Sequence, residues 1–175
     1  MAYLVISTSL NPNSKSRLLA RETLQLLEAH GVEVHWLDLA ETRLPFCDGA
    51  TCYSDPSVQA VSAQIKEAEG VLIATPIYNF DCSASAKNLI ELTGQNWAGK
   101  VVSFLCAAGG ASSYMSIMNL ANNMMLDFRC IIVPRFVYAE PNAFEHDAIT
   151  DEAVRTRLDE LATALIRFGS SLKSD

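Results

Sequence analysis

No apolar run in this 175-residue sequence reaches the ~18 residues that suggest a membrane span. Glycine (8 residues) and proline (6) are too scarce for a collagen-like or linker-like chain. Positive charge is also short: 13 Lys plus Arg stand against 20 Asp plus Glu, a formal net charge of −7. That balance argues against nucleic acid and anionic membrane as partners, because both select a basic face. No two of the five cysteines have CxxC spacing, and the three histidines are scattered, so neither a metal site nor a histidine-based triad is indicated. Half of the residues are hydrophobic, which excludes a disordered chain. The length suits one domain spanning 1–175.

The opening residues Met1 to Ile6 lack a basic n-region and turn polar at Ser7, so they read as a first strand and not as a leader. Free thiols then imply a reducing compartment, and a cytoplasmic location is expected. Cys106 and Cys130 lie in apolar runs and read as core. Cys82 sits near a predicted helix start, where a thiol can be acidified. Cys47 and Cys52 share a loop, four residues between them, a spacing open to a disulfide or a metal but without a matching second pair.

Along the chain, strands and helices alternate. Apolar runs at Tyr3 to Thr8, Gly70 to Thr75, Lys100 to Cys106 and Cys130 to Val133 read as strands, and Val32 to Leu39 alternates as a further one. The continuous runs suit strands covered on both faces. Leu18, Leu19, Leu26 and Leu27 recur at helical spacing up to Gly31, a natural C-terminal stop. Helices are also predicted over Pro56 to Ala68, Ala84 to Leu92, Ser116 to Phe128 and Asp151 to Phe168. Five alternations predict an α/β fold: a three-layer α/β/α sandwich with a five-stranded parallel sheet in the flavodoxin-like order 2-1-3-4-5. A dinucleotide-binding domain would carry GxGxxG after its first strand. This chain has Ser9-Leu10-Asn11-Pro12-Asn13-Ser14 there.

In such sheets, ligands bind outside the carboxyl ends of the strands, where the strand order reverses. Three loops converge on that place. The first, Ser9 to Ser16, offers Ser9, Asn11, Ser14 and Ser16, with Lys15 and Arg17 as nearby positive charges; it leads into a helix N-terminus, which favours anions. Hydroxyl donors suit a phosphate monoester, and the plain alternative is a serine-rich helix cap. The second, Thr75-Pro76-Ile77-Tyr78-Asn79-Phe80, puts an aromatic ring and an amide at a loop tip, suited either to a planar ligand or to ordinary packing. The third, Ala107-Ala108-Gly109-Gly110-Ala111-Ser112-Ser113, lets a ligand approach the backbone, or simply makes a tight turn.

These motifs resemble the NADPH-dependent FMN reductase family, flavodoxin-like flavoenzymes that include azobenzene, quinone and chromate reductases. The family's GSxRxxSxxR pattern corresponds to Thr8 through Arg17, its TPxYN to Thr75 through Asn79, its LKN to Ala86-Lys87-Asn88, and its Gly-rich loop to Ala108-Gly109-Gly110. Thr8 replaces the usual glycine, Asn11 the usual arginine, and Ser83-Ala84-Ser85 the glycine before LKN.

The resemblance implies bound FMN, its phosphate held by Ser9, Asn11, Ser14, Lys15 and Ser16. Pro76, Ile77, Tyr78 and Asn79 would border its ring, and backbone N–H groups of Ala108, Gly109 and Gly110 would meet its pyrimidine side. It further implies ping-pong hydride transfer from NADPH or NADH through the flavin to a quinone, azo compound, metal ion or free flavin, with no catalytic acid or base from the protein. Relatives form homodimers or homotetramers, and the methionines at 115, 118, 124 and 125 fit either core or such an interface. A flavodoxin-like electron carrier and a flavin-binding module without turnover are the competing readings.

Overall fold

The structure is a computed structural model and describes residues 2–172. Its sheet contains β1 (Ala2–Ser7), β2 (Glu33–Asp38), β3 (Gly70–Tyr78), β4 (Asp81–Cys82), β5 (Val101–Ala107), β6 (Ile131–Ile132) and β7 (Val137–Ala139). The helices are α1 (Lys15–Ala29), α2 (Pro56–Glu67), α3 (Ala84–Thr93), α4 (Met118–Phe128) and α5 (Glu152–Ser171). A small hairpin, β8 (Phe144–Glu145) and β9 (Ala148–Ile149), precedes α5.

β2, β1, β3 and β5 lie side by side, all parallel, and β6 and β7 together fill the fifth position beside β5. This is the expected 2-1-3-4-5 order with its last strand broken. The break has a local cause: Pro134 carries no N–H to donate, and Arg135 adopts a left-handed φ of 67°. The fifth strand, predicted to begin over Cys130 to Val133, therefore forms at Ile131–Ile132 and resumes at Val137.

The apolar strands are buried on both faces because their side chains alternate. Leu4 and Ile6 of β1 join Val71, Ile73 and Phe104 under α2, α3 and α4. Tyr3 and Val5 point the other way, with Leu72 and Leu105, under α1 and α5. Caps start four of these helices where the sequence places hydroxyl or carboxylate groups: Ser14 accepts from the N–H of Arg17, Asp55 from Ser57, Ser83 from Ala86, and Asp151 from Ala153 and Val154. α1 ends before Gly31, whose φ of 78° favours glycine. α4 begins two residues later than predicted, after a short 3-10 turn at Ala111–Ser113. Among the described residues, no helix is long and apolar enough to cross a membrane.

Tyr3 sets how closely α5 approaches the sheet. Its ring is fully buried, and its hydroxyl donates to the Ile166 carbonyl at 3.3 Å. A Cβ on Gly70 would meet the Tyr3 ring at 2.8 Å and Leu165 at 3.0 Å; a Cβ on Gly169 would meet the Tyr3 hydroxyl at 2.8 Å. The two glycines thus make the slot for the ring. Gly70→Ala is expected to cost about 1–3 kcal/mol in urea unfolding, and less in a Tyr3→Leu background, where the ring is gone. An unchanged unfolding midpoint for Gly70→Ala would contradict this packing.

Candidate active site at the carboxyl ends of the strands

The loops after β1, β3 and β5 meet in one cleft of about 230 Å³. Ser9, Asn11, Ser14, Lys15 and Ser16 line one end, Pro76, Ile77 and Tyr78 one wall, and Ala108 and Gly109 the other. Ten of the twelve residues singled out from the sequence therefore share this cleft. Asn79 and Gly110 are outside its lining. Asn13 and Ala107 also line it from within the first and third loops, and Pro141 and Phe144, outside the three loops, were not anticipated.

Arg17 shapes the first loop from behind. Its Nε lies 2.5 Å from Asp38 Oδ2, in an ion pair whose side chains are 13 % and 2 % exposed. Its two terminal nitrogens donate to the carbonyls of Asn11 and Ser9, both at 2.7 Å. The guanidinium is therefore spent on Asp38 and the loop carbonyls and is not a free charge for a ligand. With those carbonyls drawn to Arg17, the other side of the loop is left to donors. Asn11 Oδ1 accepts from the N–H of Asn13 at 2.9 Å, which closes the turn and leaves the amide nitrogen as a donor. Ser14 Oγ caps α1 by accepting from Arg17 N at 3.1 Å and lies 3.0 Å from Ser16 Oγ. The first N–H groups of α1 add to this set. Lys15 is the one charged residue lining the cleft, and no carboxylate does so among the described residues, although the chain carries a net −7. Its ammonium donates to the carbonyl of His146 and lies 5.6 Å from the Phe144 ring centre, which ties α1 to the β8–β9 hairpin.

The second loop is shorter than expected. β3 runs on to Tyr78, and β4 returns antiparallel, with Tyr78 opposite Asp81. Only Asn79 and Phe80 make the turn, with φ of 51° and 64°. Two successive positive φ values define the tight hairpin turn in which Asn is favoured at the first position. Asn79 thus turns the chain, and Tyr78, half exposed, is the residue that reaches the cleft. Asn119 of α4 steadies the hairpin by donating to Asp81 at 3.2 Å.

A buried hydroxyl network locks the first loop to the second. Thr8 Oγ1 donates to the Ala74 carbonyl at 3.0 Å and lies 3.1 Å from Ser83 Oγ, which is 3.2 Å from Thr75 Oγ1 and 2.9 Å from Ser85 Oγ. Ser85 in turn donates to the Thr8 carbonyl at 2.5 Å. Thr8, Ser83 and Ser85 stand at or beside the positions where the resemblance leads one to expect glycine. Here they partner one another, so the substitution on one loop is matched on the next.

In the third loop the Ala108 N–H donates to the Ala139 carbonyl at 3.1 Å, so it is already engaged and cannot also serve a ligand. The N–H groups of Gly109 and Gly110 carry no intramolecular partner among the described residues. No protein atom would meet a Cβ at either glycine within 4 Å, and neither has a left-handed φ. At Gly109, which lines the cleft, glycine leaves room on the cleft side. Tyr138 of β7 holds the loop by donating to the Gly110 carbonyl, with Ser113 Oγ 2.7 Å from its hydroxyl.

Cys82, weighed as an acidified thiol, is the opposite. Burial and the neighbouring Asp81 push it up to about 12. Cys106 and Cys130 are buried, as their apolar surroundings suggest.

The cleft fits FMN on these grounds. A carboxylate-free end built from hydroxyls and a helix N-terminus suits a phosphate dianion. A slot between Pro76–Tyr78 and an alanine–glycine loop suits a flat ring.

Comparison with known proteins agrees. The sequence matches the profile of the NADPH-dependent FMN reductase family over residues 1–145. It is 32% identical over 146 residues to an NAD(P)H-dependent FAD/FMN reductase of Geobacillus thermodenitrificans, covering 82% of this chain and 79% of that one. It is 28% identical to an NAD(P)H:quinone oxidoreductase of Solanum tuberosum over 94% of this chain and 91% of the other. The flavoenzyme NAD(P)H:(acceptor) oxidoreductase of Paracoccus denitrificans superposes with a TM-score of 0.79 at 20% identity, covering 97% of both chains, a likeness of fold. Fold, cleft and profile converge: the chain belongs to the NADPH-dependent FMN reductase family.

Proposed function

We propose that this protein is an FMN-dependent NAD(P)H oxidoreductase that passes electrons to a small-molecule oxidant, with quinone-type compounds the favoured class. The observation that carries this reading is the cleft itself: one carboxylate-free pocket, at the switch in strand order, that gathers ten of the residues expected to bind the cofactor. Bound FMN would supply the redox chemistry, accepting a hydride from NAD(P)H and releasing electrons to the second substrate.

The protein's own residues bind and orient. Ser9, Asn11, Ser14, Lys15 and Ser16 hold the phosphate through hydroxyl, amide, ammonium and backbone donors. Pro76, Ile77 and Tyr78 border the ring, with Asn79 shaping their turn. Gly109 and Gly110 offer N–H groups where negative charge would gather on the reduced ring, and fixed donors stabilise such charge without reorganising. Ala108 contributes as a small wall residue. Tyr78, 52% exposed, leaves an aromatic rim at the mouth. Such a rim favours planar, weakly polar acceptors over hydrated metal ions.

The relatives named as reductases and quinone oxidoreductases favour turnover over the electron-carrier reading. The five free thiols suit a reducing cytoplasm. A homo-oligomer, dimer or tetramer, is expected through α4 and the turn before it, where Met125 and Leu126 on the helix and Met115 ahead of it are exposed while Met124 is core.

Two measurements test this. FMN bound to the purified protein should bleach anaerobically with one equivalent of NADPH or NADH and recover with a quinone, in ping-pong kinetics. Flavin that resists both nucleotides would overturn the reductase reading in favour of a carrier. Sedimentation should give a multiple of the 19.1 kDa chain mass, and a monomer would contradict the oligomer.

A further inference from the structure

The loop between β2 and α2 takes no part in the cleft, yet it is built with care around two thiols. Asn88 of α3 grips it with both ends of its amide: Oδ1 accepts from the Cys47 N–H at 2.9 Å, and Nδ2 donates to the Pro45 carbonyl at 2.9 Å. Asp48 then folds the following residues into a tight turn. Its carboxylate accepts from the N–H of Ala50 at 2.8 Å, the N–H of Cys52 at 3.1 Å and the hydroxyl of Thr51 at 2.7 Å. The result brings Cys52 Sγ to 3.9 Å from Cys47 Sγ. The two sulfurs differ in surroundings. Cys47 is half-buried and meets the Tyr53 hydroxyl at 3.6 Å, whereas Cys52 is 5% exposed, packed with Val58 and Leu92.

We propose that Cys47 and Cys52 form a thiol–disulfide exchange site for low-molecular-weight disulfides, with Cys47 attacking and Cys52 resolving. This goes beyond the flavin reading and does not rest on it. The roles follow from access and contact. Cys47 is the thiol that solvent reaches, and Cys52 is the thiol within reach of Cys47. Hydrogen bonds from Tyr53 and the backbone at Gly49 also lower the Cys47 thiol, which raises its thiolate fraction. Burial and the Asp48 carboxylate raise Cys52, so it stays protonated until it is needed. The remaining thiols are poor competitors, since burial pushes Cys82, Cys106 and Cys130 up.

The exchange balances. Cys47 thiolate, having lost its proton to solvent, attacks one sulfur of R–S–S–R; a Cys47–S–S–R bond forms and the first RS⁻ leaves. Cys52 then loses its proton to solvent and attacks Cys47 Sγ; the Cys47–Cys52 bond forms and the second RS⁻ leaves. Both thiolates take up protons as RSH. Two cysteines lose two electrons, and R–S–S–R gains them. The sulfurs close from 3.9 Å to the ~2.05 Å of a disulfide. That movement lies within one turn of an exposed loop.

The test uses the full chain and oxidised glutathione, followed by denaturation, alkylation and mass mapping. Alkylatable thiols should fall from five to three, with the segment carrying Cys47 and Cys52 lighter by its two thiol hydrogens and free of glutathione. Cys52→Ser should instead retain one glutathione on Cys47, and Cys47→Ser should leave Cys52 alkylatable. A wild-type chain that keeps all five thiols overturns the proposal. So does one that accumulates glutathione on Cys47 while Cys52 remains alkylatable.

Discussion

The cofactor end of the cleft depends on one side chain that never faces it. Arg17 stands in the first turn of α1, reaches Asp38 at the end of β2, and pulls back the carbonyls of Ser9 and Asn11. A short, mostly polar loop has many conformations, and fixing each residue costs roughly 1–2 kcal/mol of backbone entropy. The nearly buried ion pair and two charge-assisted hydrogen bonds offset that cost in one conformation. In this conformation the Ser9 and Asn11 carbonyls are spent on the guanidinium. Breaking a buried pair by removing one partner typically costs about 3–5 kcal/mol, because the other charge is stranded. The clamp is therefore strong where the loop alone would be weak.

Around this loop the sheet does the rest. Parallel strands end on the same side, so β1, β3 and β5 deliver their loops to one place without further design. The hydroxyls of Thr8, Thr75, Ser83 and Ser85 then fix the first two loops relative to each other. Tyr138 holds the third loop from the neighbouring strand β7. The Thr8–Ser83, Ser85–Thr8 and Tyr138–Gly110 contacts join residues distant in sequence, so the cleft is a tertiary product. The negative charge of the chain is kept off its lining, which preserves the positive end of α1 for an anion.

Much of this was legible in the sequence. Apolar runs buried on both faces announce a parallel sheet, and Ser14 followed by a helical repeat announces the α1 cap. Other features were not, for identifiable reasons. The interruption of the last strand hinges on Pro134 and the left-handed Arg135, and only the proline is visible as a letter. The Asn79–Phe80 turn hides because Phe rarely takes a positive φ. Phe144 reaches the cleft from a hairpin too short to show alternation, and Pro141 from the short 3-10 turn before it. Arg17 looks like a ligand for phosphate in the linear pattern; Asp38, twenty-one residues on, claims it instead.

The most direct test of the clamp compares FMN with riboflavin, which lacks the phosphate. Arg17→Met combined with Asp38→Asn removes the ion pair without stranding a buried charge, and the amide oxygen of the new side chain would keep the acceptor that the Ala40 N–H uses. Titration of the apoprotein should show FMN binding weakened about 10- to 100-fold, which is roughly 1.4–2.8 kcal/mol, with riboflavin binding unchanged. Unaltered FMN affinity in a folded double variant would contradict the account, as would an equal loss for both flavins.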